Sequence, residues 1–143
     1  MPYRYRKDAA FEDIAFEAEG RTLKELFQAA AVAITSVMVG HPEAIDQKVI
    51  RLFEMEAPSA EMLLYHFLEE LVFLKDSERL FFRQCEIDID RDAPVWHLHV
   101  QASGEEIDGG EHELLTDVRA VSFPDFRVRQ TCDGWTADVL LDL

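Results

Sequence analysis

The sequence is poor in the features that mark secreted or membrane-embedded proteins. Its two cysteines, Cys85 and Cys132, are too few for a disulfide framework, and we expect both to be free thiols on strands. No stretch approaches the roughly 18 uncharged apolar residues of a membrane-spanning helix. The N-terminus is basic but lacks the apolar run of a secretory signal. These absences predict a reduced, cytoplasmic setting and no membrane partner.

Basic residues are also scarce. Lysine and arginine together number 14 against 29 aspartates and glutamates, which gives a formal net charge of −15. Such a surface repels phosphate groups, so direct nucleic-acid binding is not predicted. A basic protein or a hard cation is a more suitable partner.

Motifs that carry enzyme chemistry are missing as well. The six glycines are isolated except for Gly109-Gly110, so no phosphate-binding loop is present. The chain has no CxxC or HExxH metal motif and no strained turn of the kind that presents a nucleophilic serine. The spacing of its residues therefore gives no reason to predict an enzyme.

What is present suits one domain that covers residues 1–143, since 48% of the residues are hydrophobic. Alternation of apolar and acidic residues predicts a first strand at 13–19. Thr22 and Glu25 then have the spacing of a capping box, and the apolar residues that follow predict a helix ending at Gly40.

The rest of the chain predicts one more helix and six strands. A strand near 49–56 alternates imperfectly, which suggests a bulge or burial on both sides. Ser59 is the expected N-cap of the second helix, whose leucine-rich stripe leaves Lys75 on another face. Asp133-Gly134 is a tight-hairpin signal. Five strands follow that helix, with a polar loop at 103–110: 81–90, 95–102, 114–123, 126–131 and 135–141.

The predicted order is therefore β-α-β-α-β-β-β-β-β. It indicates an α+β fold in which two amphipathic helices pack on a mostly antiparallel sheet of about seven strands. Two helices cannot cover both faces of such a sheet. We expect them to lie on one face or between two curved sub-sheets.

Two groups of side chains are candidate ligands by spacing alone. His97 and His99 share one face of a predicted strand and would suit zinc if carboxylates joined them, although a solvated strand face explains them equally well. The loop at 105–113 is dense in carboxylates and suits a cation or a basic partner, or is simply solvated. The sequence leaves both pairs of alternatives open.

A third candidate lies at the ends of the predicted fold. Asp142 follows the last apolar strand, and the α-carboxylate of Leu143 lies beside it. If the first and last strands are neighbours, Asp13 and Asp142 meet. Paired carboxylates with backbone or terminal oxygens suit Ca²⁺ or Mg²⁺.

The C-terminal third, HELLTDVRAVSFPDFRVRQTCDGWTADVLLDL, resembles the archease family. The N-terminal stretch DIAFEAEGRTLKELFQAAAVAITSVM is similar to the family's first strand and Gly-x-Thr-Leu helix start, and MLLYHFLEELVFL is similar to its second helix. The likeness covers nearly the whole chain in matching order. In the C-terminal third it rests on His112, Glu113, Leu114, Thr116, Val118, Ala120, Val121, Asp125, Val128, Asp133, Gly134, Trp135 and Asp142.

This resemblance implies a function. Archeases act as protein cofactors of the RtcB-class RNA ligase, which joins RNA ends in tRNA splicing, and they promote its guanylylation and turnover without being the ligase. The resemblance further implies a divalent-metal site, expected to hold calcium or magnesium, at Asp13, Asp142 and the backbone carbonyl of Leu143. It also implies functional or partner-binding roles for Arg119, His112 and Glu113.

The chain departs from the family pattern at three places. Ala10, Phe11 and Glu12 stand where the family usually has His-Thr-Ala. Arg119 matches a functional lysine, which keeps the charge but changes the hydrogen-bond geometry. Pro124 stands where a histidine is common.

Two alternatives to a ligase activator remain. One is a small-ligand or metal-binding module of the same fold without a ligase partner, which an apolar pocket lined by phenylalanines would favour. The other is an unrecognised enzyme, which titratable groups converging in a cleft would favour.

Overall fold

The computed structural model describes residues 2–6, 13–92, 94–108, 110 and 112–143, with the backbone alone for Arg6 and Asp13. Seven strands and two long helices make up this part of the chain. In chain order they are β1 (Tyr3–Arg6), β2 (Asp13–Gly20), α1 (Leu23–Met38), β3 (Val49–Ala57), α2 (Ala60–Glu78), β4 (Leu80–Asp92), β5 (Val95–Glu106), β6 (Ala120–Thr131) and β7 (Gly134–Asp142), with a short 3-10 turn at Pro42–Ala44 before β3.

The strands form two antiparallel sheets. The four-stranded sheet has the order β1-β2-β7-β6, and the three-stranded sheet has the order β3-β5-β4. Both helices contact strands of both sheets: α1 packs on β2 and β4, and α2 packs on β6 and β3. The predicted α+β class, with two helices and seven antiparallel strands, is confirmed. Of the two predicted arrangements, the observed one has the helices between two sub-sheets.

The helices begin where the sequence predicts. The Thr22 hydroxyl accepts the Glu25 N–H at 3.1 Å, and Glu25 in return accepts the Arg21 N–H at 2.8 Å. Ser59 caps α2 by accepting the Met62 N–H at 3.1 Å. Such caps satisfy amides that have no partner within the helix.

One cluster of buried side chains joins both helices to both sheets. The two helices fill it differently, because α1 contributes mainly small side chains and α2 mainly large ones. The buried alanines of α1 are Ala29, Ala30, Ala31 and Ala33, and the large side chains of α2 include Leu63, Leu64, Phe67, Leu68 and Leu71.

The predicted hairpin between the last two strands is present. Thr131 pairs with Gly134, so Cys132 and Asp133 form the two-residue turn and Gly134 opens β7. Gly134 has a φ of +148°, and a Cβ there would lie 2.3 Å from the Gly20 carbonyl oxygen. Only glycine satisfies both demands, so the turn also fixes how closely β7 approaches the start of α1.

The observed order of elements is β-β-α-β-α-β-β-β-β, which corrects the predicted one at two places. First, β1 was not predicted, although Tyr3–Arg6 pairs along β2 from Ala18 to Ala15. Four residues are too few for alternation to be recognised, and the pairing depends on a neighbour that the local sequence does not specify.

Second, the strand predicted at 114–123 begins only at Ala120, so the part at 114–119 is wrong. Between β5 and β6, the described residues form an isolated bridge that joins Val39 to Leu114. β6 begins at Ala120 and includes the strand predicted at 126–131. The amides of Leu115 and Thr116 donate instead to the last carbonyls of α1, so this backbone has no partner strand. The register of β6 shifts between Ser122 and Arg127, around Pro124, which lacks an N–H for the ladder.

The irregular alternation of β3 also has a different cause from those predicted. The strand pairs with β5 in an unbroken register from Val49 to Ala57, so it has no bulge. Ile50 and Leu52 are instead exposed on its outer face.

The cysteines are free, as expected. Cys85 lies on β4, and burial raises the pKa of its thiol to about 12, so it carries no thiolate. Cys132 lies in the exposed turn after β6 rather than on a strand. In the described part of the chain, neither helix is long and apolar enough to span a membrane.

Candidate functional site

The candidate metal site lies where β2 begins and β7 ends. Asp13 and Asp142 are partners in the antiparallel register of these strands. Residues directly opposite each other share a face of the sheet, with Cβ atoms about 4.5–5.5 Å apart. The fold therefore brings together the two aspartates that lie at opposite ends of the sequence. Ala10, Phe11 and Glu12, which precede this pair, lie outside the described residues.

Arg119 joins the same site through its backbone. Its N–H donates to the Asp142 carbonyl oxygen at 2.9 Å, and the next residue, Ala120, pairs with Asp142 in the ladder between β6 and β7. The Arg119 side chain is exposed. The structure thus places a cationic residue one position from the strand neighbour of Asp142.

Tyr65 on α2 lies close enough to this end of the sheet for the charge of Asp142 to act on it. Its hydroxyl donates to Glu69 Oε1 at 2.8 Å. Burial raises the pKa of Tyr65 to about 12, with further contributions from the hydrogen bond and charge of Glu69 and from the charge of Asp142. The Tyr65 ring also packs edge-on against Phe123, which is half-exposed. Tyr65 is not predictable from the sequence, because its relation to Asp142 depends on packing.

His112 and Glu113 are held by other contacts. His112 is buried, accepts the Asp108 N–H at Nδ1 (2.8 Å), and lies 2.5 Å through Nε2 from Glu105 Oε1. Nδ1 also lies 3.0 Å from the Asp108 carbonyl oxygen, so the imidazole is held between the Asp108 backbone on one side and the Glu105 carboxylate on the other. This pair fastens the segment after β5 to the end of that strand. Any role of His112 in partner binding stays a prediction.

Glu113 lies beside the end of α1. Its carbonyl oxygen accepts the Gly40 N–H at 2.8 Å, and its carboxylate lies 3.4 Å from His41 Nε2. A Cβ on Gly40 would lie 2.2 Å from Glu113 Oε2, so a larger residue there would displace the exposed Glu113 carboxylate. His112 therefore contacts β5 and, edge-on through its ring, Phe81 of β4, whereas Glu113 contacts the α1–β3 connection.

Lys75 is a buried residue for which the sequence prediction is wrong. It was placed off the apolar stripe of α2, yet it is only 6% exposed. Its ammonium group donates to the Val118 carbonyl oxygen at 2.8 Å and pairs with Asp117. Its spacing was the available signal, because position 75 follows Leu68 by seven residues and Leu71 by four and so continues the buried stripe.

The alternative zinc site at His97 and His99 gains no support. Each imidazole lies beside a glutamate across the strand pair, His97 Nδ1 at 3.4 Å from Glu56 and His99 Nδ1 at 3.0 Å from Glu54, on a solvated face. Among side chains that the structure describes, no three of histidine, cysteine, aspartate or glutamate converge as metal ligands. The side chain of Asp13 is not in that set.

The carboxylate-rich loop differs from its prediction. β5 extends to Glu106, so the first half of the predicted loop at 103–110 is strand. Glu105 is buried against His112, with Lys48 Nζ 3.7 Å from its second oxygen. Gly109 and Glu111 lie outside the described residues. The carboxylate nearest the core of this segment is thus engaged inside the protein.

The chain matches a known family along nearly its whole length. The sequence model of the Archease protein family (MTH1598/TM1083) matches residues 3–143. The chain belongs to the archease family. The resemblance carried by the HEL, DGW and second-helix motifs is thereby confirmed.

Curated archeases from archaea are similar to it over comparable lengths. The archease of Pyrococcus abyssi is 35% identical over 132 residues, which are 92% of each protein. The archease of Methanosarcina barkeri is 30% identical over 142 residues, covering 99% of this chain and 95% of the relative.

Solved structures share the archease fold. The solution structure of Methanobacterium thermoautotrophicum protein 1598 superposes with a TM-score of 0.84, with 30% sequence identity and 99% of each chain covered. A crystal structure from Thermotoga maritima, described as an archease and possible chaperone, has a TM-score of 0.55 at 18% identity over 96% of this chain and 97% of that one. The second supports the fold alone.

The small-ligand alternative expects a cavity lined by phenylalanines, and single phenylalanines do line cavities here: Phe82 lines one of about 490 Å³ and Phe81 one of about 400 Å³. A cavity of about 760 Å³ lies between the start of α1 and the β6–β7 turn, near Tyr3, Arg21 and Trp135. None of its lining residues is a phenylalanine. The small-ligand alternative stays a prediction.

Proposed function

We propose that this archease is a non-enzymatic protein cofactor of an RtcB-class RNA ligase in tRNA splicing or RNA repair. It promotes guanylylation and turnover of the ligase and itself binds a divalent ion, with calcium preferred and magnesium as the alternative. The observation that carries the proposal is the register that sets Asp13 opposite Asp142 beside Arg119. The expected setting is cytoplasmic.

The residues present fit a hard divalent ion. Two aspartates in direct cross-strand register repel each other when both are ionised, and a cation between them offsets that repulsion. On the β6 side the row continues with Ala120, which is uncharged. Carboxylates together with the backbone carbonyl of Leu143 form the oxygen-rich donor set that calcium and magnesium prefer. When bound, the ion supplies positive charge to an otherwise acidic end of the sheet.

Charge also favours a protein partner over a direct RNA contact. A net charge of −15 repels RNA phosphates but attracts a basic ligase surface. Arg119 is an exposed cation beside the aspartate pair and supplies a group suited to a phosphate or carboxylate on the ligase side. The archease thus approaches the ligase without competing for its RNA.

The test is a ligation assay with the RNA ligase of the same organism, run over many turnovers with and without this protein. We expect wild-type protein to raise the number of turnovers and Asp142→Asn to lose most of that effect. Glu17 and Asp138 form another acidic partner pair on the same two strands, so Asp138→Asn is the matched control and retains the effect. A ligase whose turnover is unchanged by wild-type protein would refute the proposal.

A further inference from the structure

A buried ammonium group lies next to the candidate site. Lysine is almost never fully buried unless it is paired, because removing its charge from water is unfavourable. Lys75 on α2 is only 6% exposed, and its three donors have three acceptors. These are Asp117 Oδ1, Asp76 Oδ1 at 2.8 Å and the Val118 carbonyl oxygen at 2.8 Å.

The third acceptor links Lys75 to the site. The carbonyl of Val118 and the N–H of Arg119 belong to one planar peptide unit. Lys75 binds the carbonyl side of this unit, while the N–H side donates to the Asp142 carbonyl oxygen at 2.9 Å. The Val118 side chain is fully buried, which fixes the same unit from a third direction.

The ammonium group keeps its charge in this environment. Burial by itself lowers the pKa of Lys75, but the hydrogen bonds and charges of Asp117 and Asp76 outweigh it, so the pKa lies above its usual value. A charged donor to a backbone carbonyl is stronger than a neutral one. The orientation of the Val118–Arg119 peptide is therefore held by a permanently charged group on α2.

We propose that Lys75 is a positioning residue for the candidate site, acting through the Val118–Arg119 peptide to set the place of Arg119 relative to Asp142. This inference rests on the proposed function for its activity readout. It differs from a purely structural role, in which Lys75 would only fasten α2 to the segment at 114–119.

The test compares Lys75→Met with Arg51→Met. Both substitutions remove a cation that pairs with an acidic residue of α2, but Arg51 binds Glu78 and does not touch the Val118–Arg119 peptide. We expect Lys75→Met to speed hydrogen exchange at the Arg119 amide by about tenfold, the equivalent of one lost charged hydrogen bond. Amides between β2 and β7, such as that of Phe16, should stay unchanged, and Arg51→Met should leave all of them as in wild type.

Ligase stimulation distinguishes the two roles, because a residue that only fastens α2 to the segment at 114–119 would not affect it. If Lys75 acts through Arg119, Lys75→Met lowers stimulation in the wild-type background but has little further effect in an Arg119→Gln background. Losses that multiply in the double variant would overturn the proposal, since they would mean independent actions. So would a Lys75→Met protein that matches Arg51→Met in exchange and in stimulation.

A second variant and the exchange measurement keep the possible outcomes distinguishable. If Lys75→Met does not fold, Asp117→Asn weakens the same cluster from its exposed side and should give a smaller acceleration at the Arg119 amide, and no acceleration would count against the proposal. If wild-type protein fails to stimulate the ligase, the proposed function fails, while exchange at the Arg119 amide still decides whether Lys75 positions this peptide.

Discussion

Two acidic pairs lie four residues apart on the same two strands, and their surroundings differ. Glu17 and Asp138 are flanked by arginines, with Arg4 at 3.0 Å from Glu17 and Arg129 at 2.8 Å from Asp138. The row of Asp13 and Asp142 continues on β6 with Ala120, which carries no charge. The same pair of strands thus holds one acidic pair with arginine partners and one whose neighbour on β6 is uncharged, and the second is the pair that we propose to hold a cation.

The comparison teaches that acidity alone does not make a cation site. A carboxylate that already has an arginine partner gains little from an added ion, because the ion must first displace that partner. A register that pairs two acidic residues beside an uncharged neighbour leaves the repulsion for an ion to relieve. The following predictions test this difference, beginning with the largest effect.

Calcium should stabilise the protein through one pair only. At a calcium concentration about 100 times its Kd, binding to the folded state adds about 2.7 kcal/mol to the free energy of unfolding. We expect this gain in wild type and in Asp138→Asn, and its loss in Asp142→Asn. Urea unfolding with calcium and with a chelator measures it, and equal gains in all three proteins would show that the ion binds elsewhere.

Removing the arginine partners of Glu17 and Asp138 should lower the free energy of unfolding. Arg4→Gln and Arg129→Gln each remove an exposed ion pair, which contributes roughly 0.2–1 kcal/mol to stability. The loss should be larger at low salt than at about 0.5 M salt, because the added ions screen exposed charges. Denaturation at the two salt concentrations measures the difference, and a loss that is independent of salt would contradict the electrostatic account.

Without metal, Asp142→Asn should have the opposite sign to those substitutions. Removing one charge from two opposed aspartates relieves repulsion, so the free energy of unfolding should stay the same or rise by a few tenths of a kcal/mol, about the size of a cross-strand pair effect. Chelator-treated protein in urea gives the measurement. Strong destabilisation would instead identify the Asp142 carboxylate as a structural hydrogen-bond acceptor.

The smallest expected effect is the change in the pKa of Tyr65 when the charge of Asp142 is removed. Its pKa is raised to about 12 in the folded protein, against about 10 for an unperturbed tyrosine, so the protonated form favours folding. This contribution is fully present below about pH 10 and is lost as the pH rises through about 12. Tyr5, whose pKa is also raised to about 12, adds to the same loss.

We therefore expect stability to fall over this alkaline range, and to fall less in Tyr65→Phe. Absorbance titration of the phenol should show a slightly lower pKa for Tyr65 in Asp142→Asn, since the charge of Asp142 is the smallest of the causes. Asp138→Asn should leave that pKa unchanged. A shift of equal size in both variants would contradict the assigned proximity of Tyr65 and Asp142.

Local patterns predicted much of the fold. The caps at Thr22 and Ser59 and the Asp133-Gly134 hairpin were all predictable because each depends on residues within four positions of one another. The same holds for the leucine stripe of α2 and the alternation of β4 and β5. The family likeness was equally accessible, since its motifs occur in order along the chain.

The failures occur where a residue's partner is distant in sequence. The apolar residues at 114–118 have the composition of a strand, but their amides bond to the last carbonyls of α1. Lys75 was predicted to lie off the apolar stripe because it is charged, although its angular position on α2 continues that stripe. Its acceptor, the Val118 carbonyl oxygen, is 43 residues away. Composition cannot supply such a partner.

The sequence by itself determined the two helices and most of the strands, since these depend on periodicity and on turn and cap residues close together in the chain. It also determined the acidic balance that favours a cation and a basic partner. Only the tertiary structure decided which acidic residues face each other, because the pairing and register of β2 and β7 are set by packing between the two ends of the chain. That register, Asp13 against Asp142, is what makes two unremarkable aspartates a candidate site.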